Sequence, residues 1–260
     1  MTDKFLTVAG DPIEHSLSPL IHSIAYEHLG LDWRYDRNRV GKDELEQFLG
    51  ANKKYSGLSL TMPLKDEAFN LSNQLSPEAE KTRVVNTMHL VNGVWHGANT
   101  DVYGITQAIS GIETDELSAV AILGSGATAR SAFHALEKVL PGVELNLYAR
   151  KATAFFTDLE QRQPYLSIKP LSDFVGKESL VINTTPVDLS FVDAVPSYWM
   201  NTGYSNKFGV PSGSTSISPL EMLLWQAIAQ IRIFTLGDAT IQVPNEDELI
   251  LKIRHALEVL

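Results

Sequence analysis

The 260-residue chain predicts an α/β fold in two domains, and three features carry that expectation. Short apolar runs rich in Val, Ile and Leu alternate with stretches that bear helix-start signals, the pattern of strands linked through helices into parallel sheets. At mid-chain a run of small residues, Ile122-Leu123-Gly124-Ser125-Gly126-Ala127-Thr128-Ala129, joins a strand-like segment to a helix-like one. A further apolar run, Val143 to Leu147, ends in Tyr148-Ala149-Arg150-Lys151, about 25 residues after the first glycine.

From the N-terminus, Phe5 to Val8 reads as a short strand and Gly10-Asp11-Pro12 as a turn. Ser18-Pro19 opens a helix to about Leu29, with serine as N-cap, proline at the first helical position and Gly30 as the stop. Trp33 to Val40 reads as a strand, Lys42 to Leu49 as a helix and Leu58 to Thr61 as a strand, and Met62-Pro63-Leu64-Lys65 starts the next helix. Thr87 to Val91 and Val94 to His96 form a hairpin around Asn92-Gly93, and Asn99-Thr100-Asp101 leads into a helix through Gln107.

The second half repeats the logic. Ala119 to Leu123 is a strand, Ala127 to Val139 a helix, Glu144 to Tyr148 a strand, Ala152 to Gln161 a helix and Leu180 to Asn183 a strand that ends in Thr184-Thr185-Pro186. Asn201 to Ser216, rich in Gly, Ser, Asn and Pro, reads as a loop with little regular structure. Ser218-Pro219-Leu220-Glu221 is a capping box, and the helix it opens carries Leu223, Leu224, Ala227, Ile228 and Ile231 on one face. A last helix, Glu246 to Leu260, spaces Leu249, Ile253 and Leu257 at helical intervals.

The glycine turn has a physical use. A strand that turns on small residues into a helix offers bare backbone N–H groups and the positive end of the helix dipole to a phosphate. In a Rossmann unit an acidic residue near position 150 would select NAD, whereas Arg150 and Lys151 suit the extra phosphate of NADP. Composition bounds the alternatives. The chain is 44% hydrophobic and 20% charged, with a net charge of −10 that argues against nucleic acid or an anionic membrane as the main partner. It has no cysteine, so disulfides, cysteine nucleophiles and thiolate metal centres are excluded. Its seven histidines show no HExxH-type spacing and no G-x-S-x-G elbow is present, so neither a metal site nor a serine hydrolase is expected. No run is long enough to span a membrane, and Met1-Thr2-Asp3-Lys4 leads directly into a strand, so the expected location is cytoplasmic.

Six segments, in order along the chain, resemble the shikimate dehydrogenase family: His15-Ser16-Leu17-Ser18-Pro19, Leu58-Ser59-Leu60-Thr61-Met62-Pro63-Leu64-Lys65, Val85-Asn86-Thr87, Asn99-Thr100-Asp101, Gly124-Ser125-Gly126 and Met222-Leu223 with Gln226-Ala227. The resemblance implies NADPH-dependent, reversible reduction of 3-dehydroshikimate to shikimate, on the route to chorismate and the aromatic amino acids. It implies a substrate domain of residues 1–102 plus 217–260 and a trimmed Rossmann NADP(H) domain of 103–216, as a monomer or homodimer. It is most similar to actinobacterial members, with a shortened C-terminal part of the cofactor domain.

Residue by residue, the resemblance implies that Lys65 and Asp101 are catalytic. A lysine in a helix's first turn is disfavoured as a cation, and burial beside a ligand would lower its pKa further, which makes proton exchange with a hydroxyl feasible. Ser16 and Ser18 resemble the pair that holds the substrate carboxylate, and Ser59, Thr61, Asn86 and Gln226 the groups that read ring hydroxyls. Gly124, Ser125, Gly126, Ala127, Thr128, Arg150, Lys151, Thr184, Thr185, Pro186 and Met222 are the implied cofactor contacts. Read locally, Ser18 and Asp101 have a second reading as helix caps, Thr61 and Asn86 as turn formers and Met222 as a core residue.

The pattern also departs from the family. Ser59 stands where asparagine is usual, Ala149 replaces an asparagine before Arg150, and Pro219, with no N–H to offer, replaces a glycine. After Pro186 only Tyr204-Ser205-Asn206 echoes the family's usual segment. Two further readings stay open: a quinate/shikimate dehydrogenase with relaxed cofactor use, and a ligand-binding homologue that has lost hydride transfer.

Overall fold

The computed structural model describes residues 4–114, 117–190, 192–204 and 209–259. The chain divides into two compact units, Met1–Gly104 with Leu223–Leu260, and Ile105–Met222. Among the described residues no helix is long and apolar enough to cross a membrane.

The first unit runs β1 (Phe5–Gly10), α1 (Ser18–His28), β2 (Arg34–Arg39), α2 (Leu45–Ala51), β3 (Tyr55–Leu60), α3 (Lys65–Leu71), β4 (Gln74–Leu75), α4 (Pro77–Thr82), β5 (Thr87–Val91), β6 (Val94–Ala98) and the start of α5 (Asp101–Ile109). Its sheet has the order β2-β1-β3-β5-β6-β4. β1 pairs in parallel with β2 and β3, whereas β5 runs antiparallel to β3 and β6. The sheet is therefore mixed, not parallel as the strand–helix alternation suggests. Asn92 and Gly93 both take positive φ, 52° and 81°, which makes a tight hairpin turn and forces antiparallel neighbours.

Two helix starts differ from expectation. α1 begins at Ser18 itself, its first bond running from Ile21 N to Leu17 O, so Ser18 is not the cap; it is buried, and Ser16 Oγ accepts its N–H at 3.3 Å. α2 begins at Leu45, three residues later than predicted. Asp43 sits at φ 63° in a turn, and the Glu67 carboxylate accepts from the N–H groups of Asp43, Leu45 and Glu46. A side chain from α3 thus caps α2, something no local pattern announces. α4 is an unpredicted helix, although Ser76-Pro77 is a legible start: Ser76 Oγ accepts from Ala79 N at 3.2 Å.

The second unit runs β7 (Ala119–Leu123), α6 (Ala127–Val139), β8 (Glu144–Ala149), α7 (Ala154–Glu160), β9 (Leu166–Pro170), β10 (Leu180–Asn183), β11 (Tyr198–Asn201) and β12 (Thr215–Ile217). Its order, β9-β8-β7-β10-β11-β12, is parallel throughout and is that of a dinucleotide-binding sheet. The segment whose composition suggests a featureless loop supplies the first two residues of β12 and the last residue of β11. Trp199 and Met200 are fully buried and Ile217 nearly so. Burying each such side chain is worth about 1.5–3 kcal/mol, more than the weak strand preference of the Gly- and Ser-rich residues around them. Ser205 and Asn206 lie outside the described residues.

α8 (Pro219–Leu236) and α9 (Glu246–Glu258) complete the chain. Ser218 Oγ accepts from Leu220 N at 3.3 Å, as the capping pattern predicts, and Leu249, Ile253 and Leu257 are buried. α8 lies so close to the first sheet that a Cβ on Gly57 would sit 2.8 Å from both Leu6 and Phe234. Buried Arg232 on α8 donates to both carboxylate oxygens of Glu246 at 2.8 and 2.5 Å and to Ala239 O at 2.9 Å, with its guanidinium 5.4 Å from the Tyr103 ring centre. Under α8, His22 stacks on Tyr35 with ring centres 4.0 Å apart and meets the Tyr26 hydroxyl at 3.0 Å. Burial pushes His22 down to about 3, and burial, then the nearby His96 and Lys4 charges, push His89 down to about 4.

Breaking one side of a buried ion pair strands the other charge. Glu246→Ala is expected to destabilise the protein by about 3–5 kcal/mol in urea unfolding. A second expectation concerns acid. His22 is neutral when folded, while the unfolded chain takes up a proton near 6.5; its stabilisation is complete above that pH and is lost as pH falls toward 3. Between about pH 6.5 and 4.5 the unaltered protein should lose stability faster than His22→Gln, by up to about 1.4 kcal/mol per pH unit. Equal slopes in the two proteins would remove His22 from the acid response.

Candidate active site

The end of β3 and the start of α5 bring the two implied catalytic residues together. Lys65, first residue of α3, donates from Nζ to Asp101 Oδ2 at 2.5 Å, and both side chains are largely buried, 13% and 6% exposed. Asp101 Oδ1 accepts from Asn86 Nδ2 at 2.8 Å, and Asp101 N donates to Asn99 Oδ1 at 3.2 Å. A buried ion pair persists only when further hydrogen bonds replace the lost water, and Asn86 provides one of them.

Asn86 is bonded within the protein at both ends of its amide. Its second amide hydrogen goes to Thr100 Oγ1 at 2.9 Å, and its Oδ1 accepts from Thr100 N and Thr87 Oγ1, both at 2.8 Å. Both N–H groups are spent on the protein, so Asn86 holds Asp101 in place. The Thr61 hydroxyl, by contrast, has no partner among the described residues, and Thr61 N donates to Ala9 O at 3.0 Å. A Cβ on Gly10 would overlap Thr61 Cγ2 and lie 2.7 Å from Met62 O, so glycine at that position lets β1 approach this corner.

Ser18, Ser59 and Gln226 also belong to this unit, and the structure adds neighbours that no sequence motif marks. The Tyr35 hydroxyl donates to Ser59 Oγ at 2.6 Å. Burial pushes the Tyr35 phenol up, so it stays protonated and acts as a donor. Ser59 Oγ donates onward to Gln230 Oε1 at 2.6 Å, which His22 Nε2 also meets at 3.3 Å. Ser59 is therefore a link in a buried network as well as a candidate contact. Gln226, one turn before Gln230 on α8, donates from Nε2 to Leu223 O at 3.0 Å. The signal for Gln230 is an amide four residues after Gln226, on the same face of a largely apolar helix.

In the second unit Gly124 has φ 105°, and a Cβ there would lie 2.6 Å from Thr184 Oγ1, so the first glycine of the turn is required by conformation and by space. Gly126, the N-cap of α6, has the opposite character: a Cβ there would meet no heavy atom within 4 Å, and the helix's first N–H groups are left for a ligand. Ala127 and Thr128 form the start of that helix. Ser125 Oγ donates to Lys151 O at 2.9 Å, which ties the turn to the exposed Arg150-Lys151 pair at the end of β8. Thr184 Oγ1 donates to Leu123 O at 2.7 Å and Thr185 Oγ1 to Asn183 Oδ1 at 2.8 Å, so both hydroxyl protons brace the ends of β7 and β10; Pro186 is exposed. Met222 is buried near the start of α8. Among the described residues no group of three or more His, Asp or Glu could hold a metal ion.

Comparison with known proteins places this geometry. Residues 8–88 match the family model described as the shikimate dehydrogenase substrate binding domain. A shikimate dehydrogenase (NADP(+)) of Acinetobacter baumannii strain SDF is 33% identical over 199 residues, 73% of this chain and 75% of its own. The crystal structure of Mycobacterium tuberculosis shikimate dehydrogenase aligns with a TM-score of 0.80 and 30% identity over 98% of this chain and 99% of that one. The Thermus thermophilus shikimate 5-dehydrogenase, solved in complex with NADP(H) and shikimate, aligns with a TM-score of 0.77 and 27% identity over 97% and 99%. With likeness of this extent along nearly its whole length, the chain belongs to the shikimate dehydrogenase family.

Proposed function

We propose that this protein is an NADP-dependent shikimate dehydrogenase that interconverts 3-dehydroshikimate and shikimate. The observation that carries the reading is the buried Lys65–Asp101 pair, 2.5 Å apart and braced by Asn86, in a chain of this family. Residues 1–102 with 217–260 are assigned to the substrate and 103–216 to the cofactor. We read the stretch between Pro186 and Ile217 as the shortened form of actinobacterial members.

The residues fit the cofactor. Gly126 leaves open space at the start of α6, the first-turn N–H groups suit a pyrophosphate, and Arg150 and Lys151 suit a ribose phosphate. When bound, NADPH supplies the hydride that reduces the ketone carbon. Lys65 holds the proton that the ketone oxygen gains and takes it back in the reverse direction. Asp101 keeps the Lys65 ammonium aimed at that oxygen, and Asn86 keeps Asp101 aimed at Lys65. Ser16 and Ser18 bind the carboxylate, while Thr61, Ser59 and Gln226 face the ring hydroxyls. A site of this kind rejects analogues that leave its buried polar groups unpaired.

The test is an initial-rate assay of purified protein with shikimate or quinate against NADP+ or NAD+. Turnover fastest with shikimate and NADP+ is expected. Faster oxidation of quinate would make the protein a quinate/shikimate enzyme, and calorimetric binding of shikimate without turnover would make it a binding homologue. Lys65→Ala should lower kcat by about 10²–10⁴-fold while shikimate affinity changes only modestly. Near-normal turnover in that variant would remove Lys65 from the chemistry. Arg150→Ala should raise the KM for NADP+ about tenfold and leave that for NAD+ within about twofold, since a charge-assisted phosphate contact is worth about 1.5–3 kcal/mol.

A further inference from the structure

The loop between β1 and α1 holds Ser16, and almost every polar atom of that residue is already committed. Ser16 N donates to Ile13 O at 3.0 Å, Ser16 Oγ accepts from Ser18 N at 3.3 Å, and Ser16 O accepts from Arg37 Nη2 at 3.2 Å. The hydroxyl also carries one hydrogen, which has no acceptor among the described residues. That hydrogen is the one group of Ser16 left to meet a ligand, and where it can point depends on how firmly the rest of the residue is held.

The hold comes from the neighbouring strand. β2 is an edge strand paired with β1, with Val8 opposite Arg37 and Gly10 opposite Arg39. Side chains alternate along a strand, so Tyr35, Arg37 and Arg39 share one face. Tyr35 is buried, whereas both arginines are exposed and bond the loop that follows β1. Arg39 donates from Nε and Nη2 to the two Asp11 carboxylate oxygens, at 3.0 and 3.1 Å, where the loop begins. Arg37 donates from Nη1 to Glu14 O at 2.8 Å and from Nη2 to Ser16 O at 3.2 Å. One rigid guanidinium thus spans two carbonyls two residues apart and sets the backbone path between them. Among the described residues no other side chain from outside the loop bonds residues 11–17. Neither arginine lies in the six family-like segments.

We propose that Arg37 is a positioning residue for the substrate carboxylate: by tying Glu14 O to Ser16 O it fixes the loop so that the Ser16 hydroxyl meets the carboxylate without reordering. The assignment rests on the dehydrogenase reading above, in which Ser16 binds that group. Ordering a loop on binding costs free energy, and a loop held in place beforehand avoids that cost. Arg37 acts through backbone carbonyls and a serine remote from the transferred proton and hydride, so its effect belongs in the affinity for shikimate and not in turnover.

The test is a double-mutant cycle in shikimate oxidation with Arg37→Ala, Ser16→Ala and the two combined. Arg37→Ala should raise the KM for shikimate about fivefold, a modest size set by the exposure of the guanidinium, with kcat and the KM for NADP+ within about twofold. In the Ser16→Ala background the same change should raise it less than about twofold, because the contact that Arg37 positions is gone. A full effect in both backgrounds, or none in either, would overturn the proposal. Arg37→Lys keeps the charge but has no fork to span two carbonyls, so it should stay closer to Arg37→Ala than to the unaltered protein. A lysine variant equal to the unaltered protein would show that charge and not geometry acts, against the proposal. Hydrogen exchange reads the loop with no substrate present: the Ser16 and Ser18 amides should exchange about tenfold faster in Arg37→Ala, with that of Ala25 inside α1 unchanged. Unaltered exchange at Ser16 and Ser18 would likewise sink it. A wild-type chain that oxidises no shikimate refutes the functional reading separately, and the exchange rates still decide whether Arg37 holds Ser16.

Discussion

A lysine and an aspartate share a mostly dry corner at the end of β3, and much of the first unit's local structure serves to keep them there. Removing two charges from water costs several kcal/mol per ion, and their attraction offsets this only when the remaining lone pairs are satisfied. Asp101 meets the condition with one oxygen on Lys65 and the other on Asn86. Asn86 is in turn pinned by Thr87 and Thr100, so the start of β5, the approach to α5 and the first residue of α3 are bound into one polar web. The lysine lies 36 positions before the aspartate in the chain. The pair exists because a mixed sheet delivers the ends of its strands to one edge.

A second polar layer lies under α8. Tyr35, Ser59, Gln230, His22 and Tyr26 form a connected set of donors and acceptors inside an otherwise apolar core. Such networks are stabilising only when complete, and this one is complete on the protein side except at one amide nitrogen. α8 reaches that position because Gly57 lets it approach the sheet, and the Arg232–Glu246 pair joins it to α9. The C-terminal segment is therefore tied both to the first sheet and to itself.

Much of the candidate site was legible in the sequence. Lys65 at a helix start, Asp101 at another, and the glycine turn before α6 all stand where local signals put them. The misses have specific causes. Ser18 resembles a cap, but the helix begins one bond earlier, with Leu17 at the cap position, and Ser18 is buried inside it. The start of α2 is decided by Glu67 from another helix. The last residue of β11 and the first two of β12 lie in a stretch whose composition says loop, and they are strand because the flanking Trp199, Met200 and Ile217 bury in the sheet.

Periodicity, caps and turn residues act over a few positions, so the order of strands and helices, the hairpin at Asn92-Gly93 and the phosphate-ready turn at Gly124 were written in the chain itself. Which polar groups are spent on the protein and which are left for a ligand was not. Asn86 is consumed, and Gln230 Oε1 likewise, because of partners 14 to 208 residues away. Hydrogen-bond capacity is a property of a residue type, whereas its satisfaction depends on what the tertiary fold brings within about 3 Å.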